Sequence, residues 1–134
     1  MSDLKASDLI QRFNSGRVVP KQAPFPEGAA VGNLFFLSGQ LGNKPGLMEL
    51  VEGGIRAEAR QTLANIKTVL EGQGLGLENL VRCTVMLADI AEWPAFNEVY
   101  REFFGSAPLP ARSALGCNGL ALGARVEIEC IAAR

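Results

Sequence analysis

The spacing of apolar residues changes along this chain, and each change marks an element. Leu4 to Phe13 reads as a short helical turn, with Leu9, Ile10 and Phe13 on one side. Pro20, Pro24 and Pro26 then impose an extended path, because proline fixes its own φ and restricts the residue before it. From Ala29 the pattern is that of strands. Ala29-Ala30-Val31 and Leu34-Phe35-Phe36-Leu37 flank Gly32-Asn33, a hairpin signal. Leu47 to Val51 is expected to form another short strand. Over Ile55 to Leu70 the period lengthens: Ile55, Ala59, Leu63, Ile66 and Leu70 make one helical stripe. The glycine-rich run Gly72-Gln73-Gly74-Leu75-Gly76 follows this helix, so it reads as a helix stop; a phosphate cradle would precede one.

Asn79 to Leu87 alternates again, with Val81, Cys83, Val85 and Leu87 on one side. A second helix starts at Asp89 or Trp93, with Pro94 tolerated in the first turn and Gly105 at its end. Trp93, Phe96, Tyr100 and Phe103 are its expected buried stripe. Strands follow at Ala111–Leu115 and Arg125–Ala132. In the last, Val126, Ile128 and Cys130 face one way, and Arg125, Glu127, Glu129 and Ile131 the other.

The order β-β-(β)-α-β-α-β-β predicts a single α/β (α+β) domain: a mixed sheet with two helices on one face. Leu34 to Leu37 is apolar on both faces, so the second face needs a cover. A second copy of the chain, in a homo-oligomer, is one candidate; the N-terminal segment folding over it is the other.

Composition narrows the chemistry. With 134 residues, 48% hydrophobic and 20% charged, the chain is long enough for one real core. Its net charge of −1 and scattered Lys and Arg offer no basic patch, so nucleic acid is not expected as a partner. No histidine is present, which removes the commonest general base and metal ligand. Neither a metal nor a cofactor is expected. Three cysteines without CxxC spacing suggest reduced thiols. Together with an N-terminus, Met1-Ser2-Asp3-Leu4-Lys5, that lacks an apolar signal core, they suggest the cytoplasm. No stretch is long and apolar enough to span a membrane.

Neither a GxSxG nor a phosphate-loop motif occurs. Arg112, in Pro110-Ala111-Arg112-Ser113, stands among apolar residues and needs an anion. That anion is either an internal carboxylate or the carboxylate of a ligand. Glu127, between Val126 and Ile128, is either a solvated face position or a carboxylate that orients water. Cys83 and Cys130 read as core, Tyr100 likewise, and Cys117 lies in a loop.

Seven stretches, in order and spacing, resemble the Rid family, also called the YjgF family or L-PSP endoribonucleases. They are Val31–Leu34, Leu37–Gln40, Ala59–Ile66, Thr84–Asp89, Phe96–Tyr100, Pro110–Ser113 and Val126–Ala132. The likeness covers residues 23–133, leaving 1–22 as an N-terminal extension. It implies a chorismate-mutase-like fold and a homotrimer with active sites between subunits. It also implies hydrolysis of enamine/imine intermediates, such as 2-aminoacrylate and 2-iminopropanoate, to 2-keto acids and ammonia.

By position, the resemblance makes Arg112 the carboxylate-binding arginine and Glu127 the residue that places water. The backbone of Gly39 and of Ala114 then lines the ligand, and Asn97 lies near it. Phe25 falls where many members have tyrosine, so a phenol is missing. Ala114 replaces a cysteine common in one branch. Two other functions stay open: a trimer that binds small carboxylates without catalysis, and an endoribonuclease or translation inhibitor.

Overall fold

The computed structural model describes residues 5–134; Leu4, expected to begin the first helical turn, lies outside them. A single turn, α1 (Ala6–Leu9), leads directly into β1 (Ile10–Phe13). The expected helical turn is therefore correct only for its first half. Ile10 to Phe13 pairs antiparallel with β2 (Gly28–Val31), and that pairing overrides the local pattern. β2 and β3 (Leu34–Gln40) form the expected hairpin around Gly32-Asn33. Gly32 alone of the pair has a positive φ, +59°, which identifies a type II′ turn, with glycine at its first central position.

The loop after β3 does not contain the strand expected at Leu47–Val51. Only one bridge forms there, Asn43 to Leu50. The segment is held by amides instead. Asn43 Nδ2 donates to the carbonyls of Val18, Lys44 and Leu47, at 3.1–3.2 Å. Asn65 Nδ2 donates from the neighbouring helix to the carbonyls of Leu41 and Asn43, both at 3.0 Å.

That helix, α2 (Gly54–Gly72), buries the predicted stripe and also Glu58, Thr62 and Asn65. Its C-terminus is a Schellman motif: Leu75 N–H donates to Leu70 O and Gly74 N–H to Glu71 O, with Gly74 at φ +72°. This is the helix stop read from the glycines.

β4 (Leu80–Leu87), α3 (Trp93–Phe104) and β5 (Ala111–Gly116) make a strand–helix–strand unit in which β4 and β5 are parallel. Asp89 Oδ1 accepts from Ala91 N–H just before α3, and Pro94 sits in its first turn. β6 (Val126–Ala133) then enters between β3 and β4, antiparallel to both. The sheet order is β1-β2-β3-β6-β4-β5.

α2 packs on β6 and β3, and α3 packs beside α2. The fold is the expected α+β sheet with both helices on one face. Val85, Leu87, Val126 and Ile128 are fully buried beneath them. The other face is open, and its β2–β3 part is apolar, with Leu34 45% and Phe36 43% exposed beside Val31. Val81 also departs from expectation. A bulge between Leu80 and Arg82 turns it outward, and Leu80 takes its place in the core. Among the described residues, no helix is long and apolar enough to cross a membrane.

Candidate active site

Arg112 lies on the helix-facing side of β5, an edge strand, in register with the buried Cys83 of β4. The parallel β4–α3–β5 crossover brings α3 beneath it. One guanidinium nitrogen donates to Asn97 Oδ1 at 2.7 Å. Its central carbon lies 4.7 Å from the centre of the Tyr100 ring and 5.7 Å from that of Phe96. Such stacking is worth about 1–2 kcal/mol when partly desolvated. Among the described residues no carboxylate lies within ion-pairing distance of Arg112; the ion pairs are made by other residues, such as Arg56 with Glu98 and Arg125 with Glu92. The internal salt bridge left open by the sequence is therefore not formed. A guanidinium half-buried against aromatic rings, with donors left over, can receive an anion.

An open cleft of about 650 Å³ adjoins it, lined by Ile90, Ala91, Trp93, Pro94, Arg112 and Ala114. Ala114 is two residues beyond Arg112 on the same side of the strand, so the chain brings Arg112, Ala114 and Asn97 together. The chemistry of the walls is simple. One cation faces an otherwise apolar surface, which suits a small acid with an apolar body. Trp93 was expected in the buried stripe of α3. It is 44% exposed and walls this cleft instead, while Val99 and Phe104 join Phe96 and Tyr100 in the core. Phe103 is only half-buried. The first turn of α3 overhangs the edge of the sheet, where nothing covers position 93.

Glu127, Gly39 and Phe25 lie elsewhere. Glu127 projects from β6 on the open face, opposite Met86. It stands three positions before Cys130, which faces the helices, so strand alternation sends Glu127 the other way. β4 also stands between β6 and β5. Within one chain, Glu127 and Arg112 are therefore separated by the sheet itself, about 10 Å across two strand spacings.

The pairing of β3 with β6 slips by one residue between Leu37 and Gln40. Gly39 lies in that bulge, and the Glu127 carboxylate occupies the space beside its Cα. A Cβ at position 39 would collide with Glu127 Oε2 and stand 3.0 Å from its Cδ. Glu127 is half-buried, and burial, helped by the negative charge of Glu129, raises its carboxyl above the usual glutamate range. This is not an ordinary solvated face position. Gly39 also lines a second, apolar cavity of about 240 Å³ with Pro24, Phe25, Leu41, Met48 and Leu122. The Phe25 ring is exposed at its wall.

Two buried acids hold these pieces in place, and neither stands out in the residue pattern. Glu58 Oε1 accepts from Arg125 N–H at 2.9 Å and so fixes the start of β6, two residues before Glu127. Glu27 accepts from the N–H groups of Ser15, Val18 and Val19 and from the Ser15 hydroxyl, at 2.7–3.3 Å. It thereby folds the segment that leads to Phe25. A glutamate two residues after a proline-phenylalanine pair looks solvent-exposed by pattern, and only the turn that wraps it shows otherwise. Tyr100 was legible as core, but not as the platform for Arg112; its i, i+4 spacing from Phe96, with Asn97 beside it, was the available signal.

Comparison with known proteins places this geometry. The model of the family described as Endoribonuclease L-PSP matches residues 17–134. A goat (Capra hircus) protein named 2-iminobutanoate/2-iminopropanoate deaminase is 41% identical over 127 residues, 94% of this chain and 92% of its own. The crystal structure of YEO7 from yeast superposes with a TM-score of 0.86 at 37% identity, covering 93% of this chain and 98% of that one. TdcF from E. coli, solved with bound serine, gives a TM-score of 0.85 at 27% identity, with 92% and 98% covered. The family model over residues 17–134, the identity to a relative along nearly the whole length and the close superposition lead to one assignment: the chain belongs to the L-PSP family, the Rid or YjgF proteins.

Proposed function

We propose that this protein hydrolyses small 2-imino acids and their enamine tautomers, of the 2-aminoacrylate/2-iminopropanoate type, to 2-keto acids and ammonia, without metal or cofactor. The functional unit is a cytoplasmic homotrimer of single-domain chains, in which 1–22 extends a core of 23–133. Each active site lies where the Arg112 cleft of one protomer meets the Gly39–Glu127 bulge of the next. The observation that carries this reading is the division described above. Among the described residues Arg112 has no carboxylate partner, Glu127 has a confined carboxylate, and one sheet keeps them apart within the chain. The uncovered apolar face around Leu34 and Phe36 supplies the surface that would bring two copies together. The name of the goat relative supports the reaction.

In this scheme the guanidinium of Arg112 takes the substrate carboxylate, with Asn97 and Tyr100 fixing its direction. Ala114 and Trp93 flank the substrate's apolar part. Glu127 orients a water and accepts its proton as the water oxygen bonds to the imine carbon. The resulting carbinolamine expels ammonia once its nitrogen is protonated, leaving the keto group. An imine is already electrophilic, so positioning supplies most of the acceleration. Gly39 gives the carboxylate its room, and the Phe25 ring closes the apolar side.

The test is subunit complementation. Arg112→Ala and Glu127→Gln are each expected to abolish ammonia release from imines generated by an amino-acid oxidase, while staying folded and oligomeric. Unfolded together and reassembled, the two variants form some interfaces that hold both native residues, about a quarter in a random ring. Activity should return to about that fraction. If the mixture stays dead although each variant assembles, the site is not shared between chains. If either single variant keeps full turnover, its assigned role is wrong.

A second reading, binding without turnover, draws on the bound serine of TdcF. It predicts saturable binding of amino or keto acids at Arg112 and no ammonia release above the uncatalysed rate.

A further inference from the structure

Beneath Arg112 lies a pair of groups that the proposed reaction does not use. Cys83 on β4 and Cys130 on β6 face each other directly across the antiparallel ladder. Both are free thiols in the core, and their sulfurs are 3.1 Å apart. A disulfide requires about 2.05 Å, so closure needs a movement of about 1 Å, within the reach of side-chain rotation between paired strands. The sheet fixes this approach, since neither strand can slide without breaking the whole β4–β6 register. Two cysteines serving only as small core residues would not need to meet sulfur to sulfur.

The surroundings also assign the two thiols different parts. The hydrogen bond from Cys130 holds the Cys83 thiol below its usual value, against the effect of burial. The Tyr100 hydroxyl and the guanidinium groups of Arg112 and Arg82 lower it further. Cys130 is pushed well above its usual value by the same hydrogen bond and by burial, so it keeps its proton. The Tyr100 hydroxyl, beside Cys83, is buried with no hydrogen-bond partner among the described residues. A developing thiolate is therefore met by a donor and by positive charge.

We propose that Cys83 and Cys130 are a redox-reactive dithiol that a hydroperoxide closes into a cross-strand disulfide under Arg112. The Cys83 thiolate attacks one oxygen of hydrogen peroxide, the O–O bond breaks, and Cys83 becomes a sulfenic acid as hydroxide leaves. The hydroxide takes the Cys130 proton and becomes water. The Cys130 thiolate then attacks the sulfenic sulfur, forms the S–S bond and expels a second hydroxide. The proton that Cys83 gave up completes a second water. In sum, two thiols and one peroxide give one disulfide and two waters, with two electrons passing from sulfur to oxygen. Peroxide is uncharged and little larger than water. It needs only local opening at the half-buried β5 edge, where Arg112 lies across from Cys83. Position 83 thus acts on the arginine's platform from below, and oxidation alters the contact that Tyr100 and Arg112 make there.

The full-length assembled protein is treated with hydrogen peroxide, and thiols are counted after denaturation. The expected result is loss of two of the three thiols, recovery with dithiothreitol, and a peptide linking Cys83 to Cys130 in non-reducing mass mapping. Cys130→Ser, which keeps a hydrogen-bond donor beside Cys83, is expected to give no cross-link and to leave Cys83 as a sulfenic acid trapped by dimedone. Three thiols remaining on the folded wild-type protein, or oxidation confined to Cys117, would overturn the proposal. The wild-type count stands even if the variant fails to fold, and it is independent of imine hydrolysis.

Discussion

Gly39→Ala isolates the smallest change that this geometry forbids. The added methyl would overlap the Glu127 carboxylate, with Cδ at 3.0 Å and Cγ at 3.2 Å, where carbon atoms prefer about 3.5–4.0 Å. The backbone at Gly39 has no positive φ, so alanine carries no torsional penalty there. The obstacle is the end of a flexible side chain, and Glu127 can rotate away. The expected stability loss is therefore modest, at the low end of the about 1–3 kcal/mol typical of overpacking. The catalytic loss should be larger, because a carboxylate displaced by about 1 Å from its water costs about 10²-fold in rate. Steady-state ammonia release from a fixed imine, set beside urea unfolding of the same preparation, separates the two effects. On a Glu127→Ala background the same substitution should cost almost no stability and no further activity. If Gly39→Ala lowers stability but leaves kcat/KM at the wild-type value, the pocket for Glu127 is structural and the carboxylate takes no part in the reaction.

Two further outcomes follow from other residues. The acid limb of kcat/KM should lie above the ordinary glutamate range, because burial and then Glu129 raise the Glu127 carboxyl and the proposed reaction uses its ionised form. Activity falls as pH drops through that raised value; Glu129→Gln should move the limb to lower pH, and a limb that stays in place would exclude Glu127 as its source. Glu27→Gln should cost about 1–3 kcal/mol in urea unfolding, since one amide oxygen replaces two carboxylate oxygens that together accept from Ser15, Val18 and Val19, and the new NH₂ faces donors. An unchanged midpoint would mean that the 14–19 segment does not depend on that carboxylate.

Periodicity carried most of the architecture. α2 could be read because Ile55, Ala59, Leu63, Ile66 and Leu70 recur at helical spacing and a glycine pair ends the run. β6 could be read because its alternation is unbroken. What failed depended on partners distant in sequence. Ile10 to Phe13 is a strand only because β2 is there to receive it. Val81 points outward only because a bulge shifts the register against β6. Trp93 looks like core by spacing, yet the sheet ends before reaching it. The site divides in the same way. The motifs around Arg112 and Glu127 singled out the candidate residues, but not that the sheet lies between them, since which face a strand residue takes depends on the pairing of its neighbours. Asn97 could be matched by position, whereas its bond to Arg112 arises from the crossover of α3.

The packing of Arg112 against Tyr100, with Asn97 gripping one nitrogen, bears on selectivity as well as on strength. A free arginine side chain holds about 2 kcal/mol of rotational freedom that any ligand must freeze out. Here that loss falls on folding, before a ligand arrives. Even a fragment of a few atoms, with little surface of its own to contribute, thus meets a fork already aimed, and a misplaced anion gains nothing by waiting for the fork to turn.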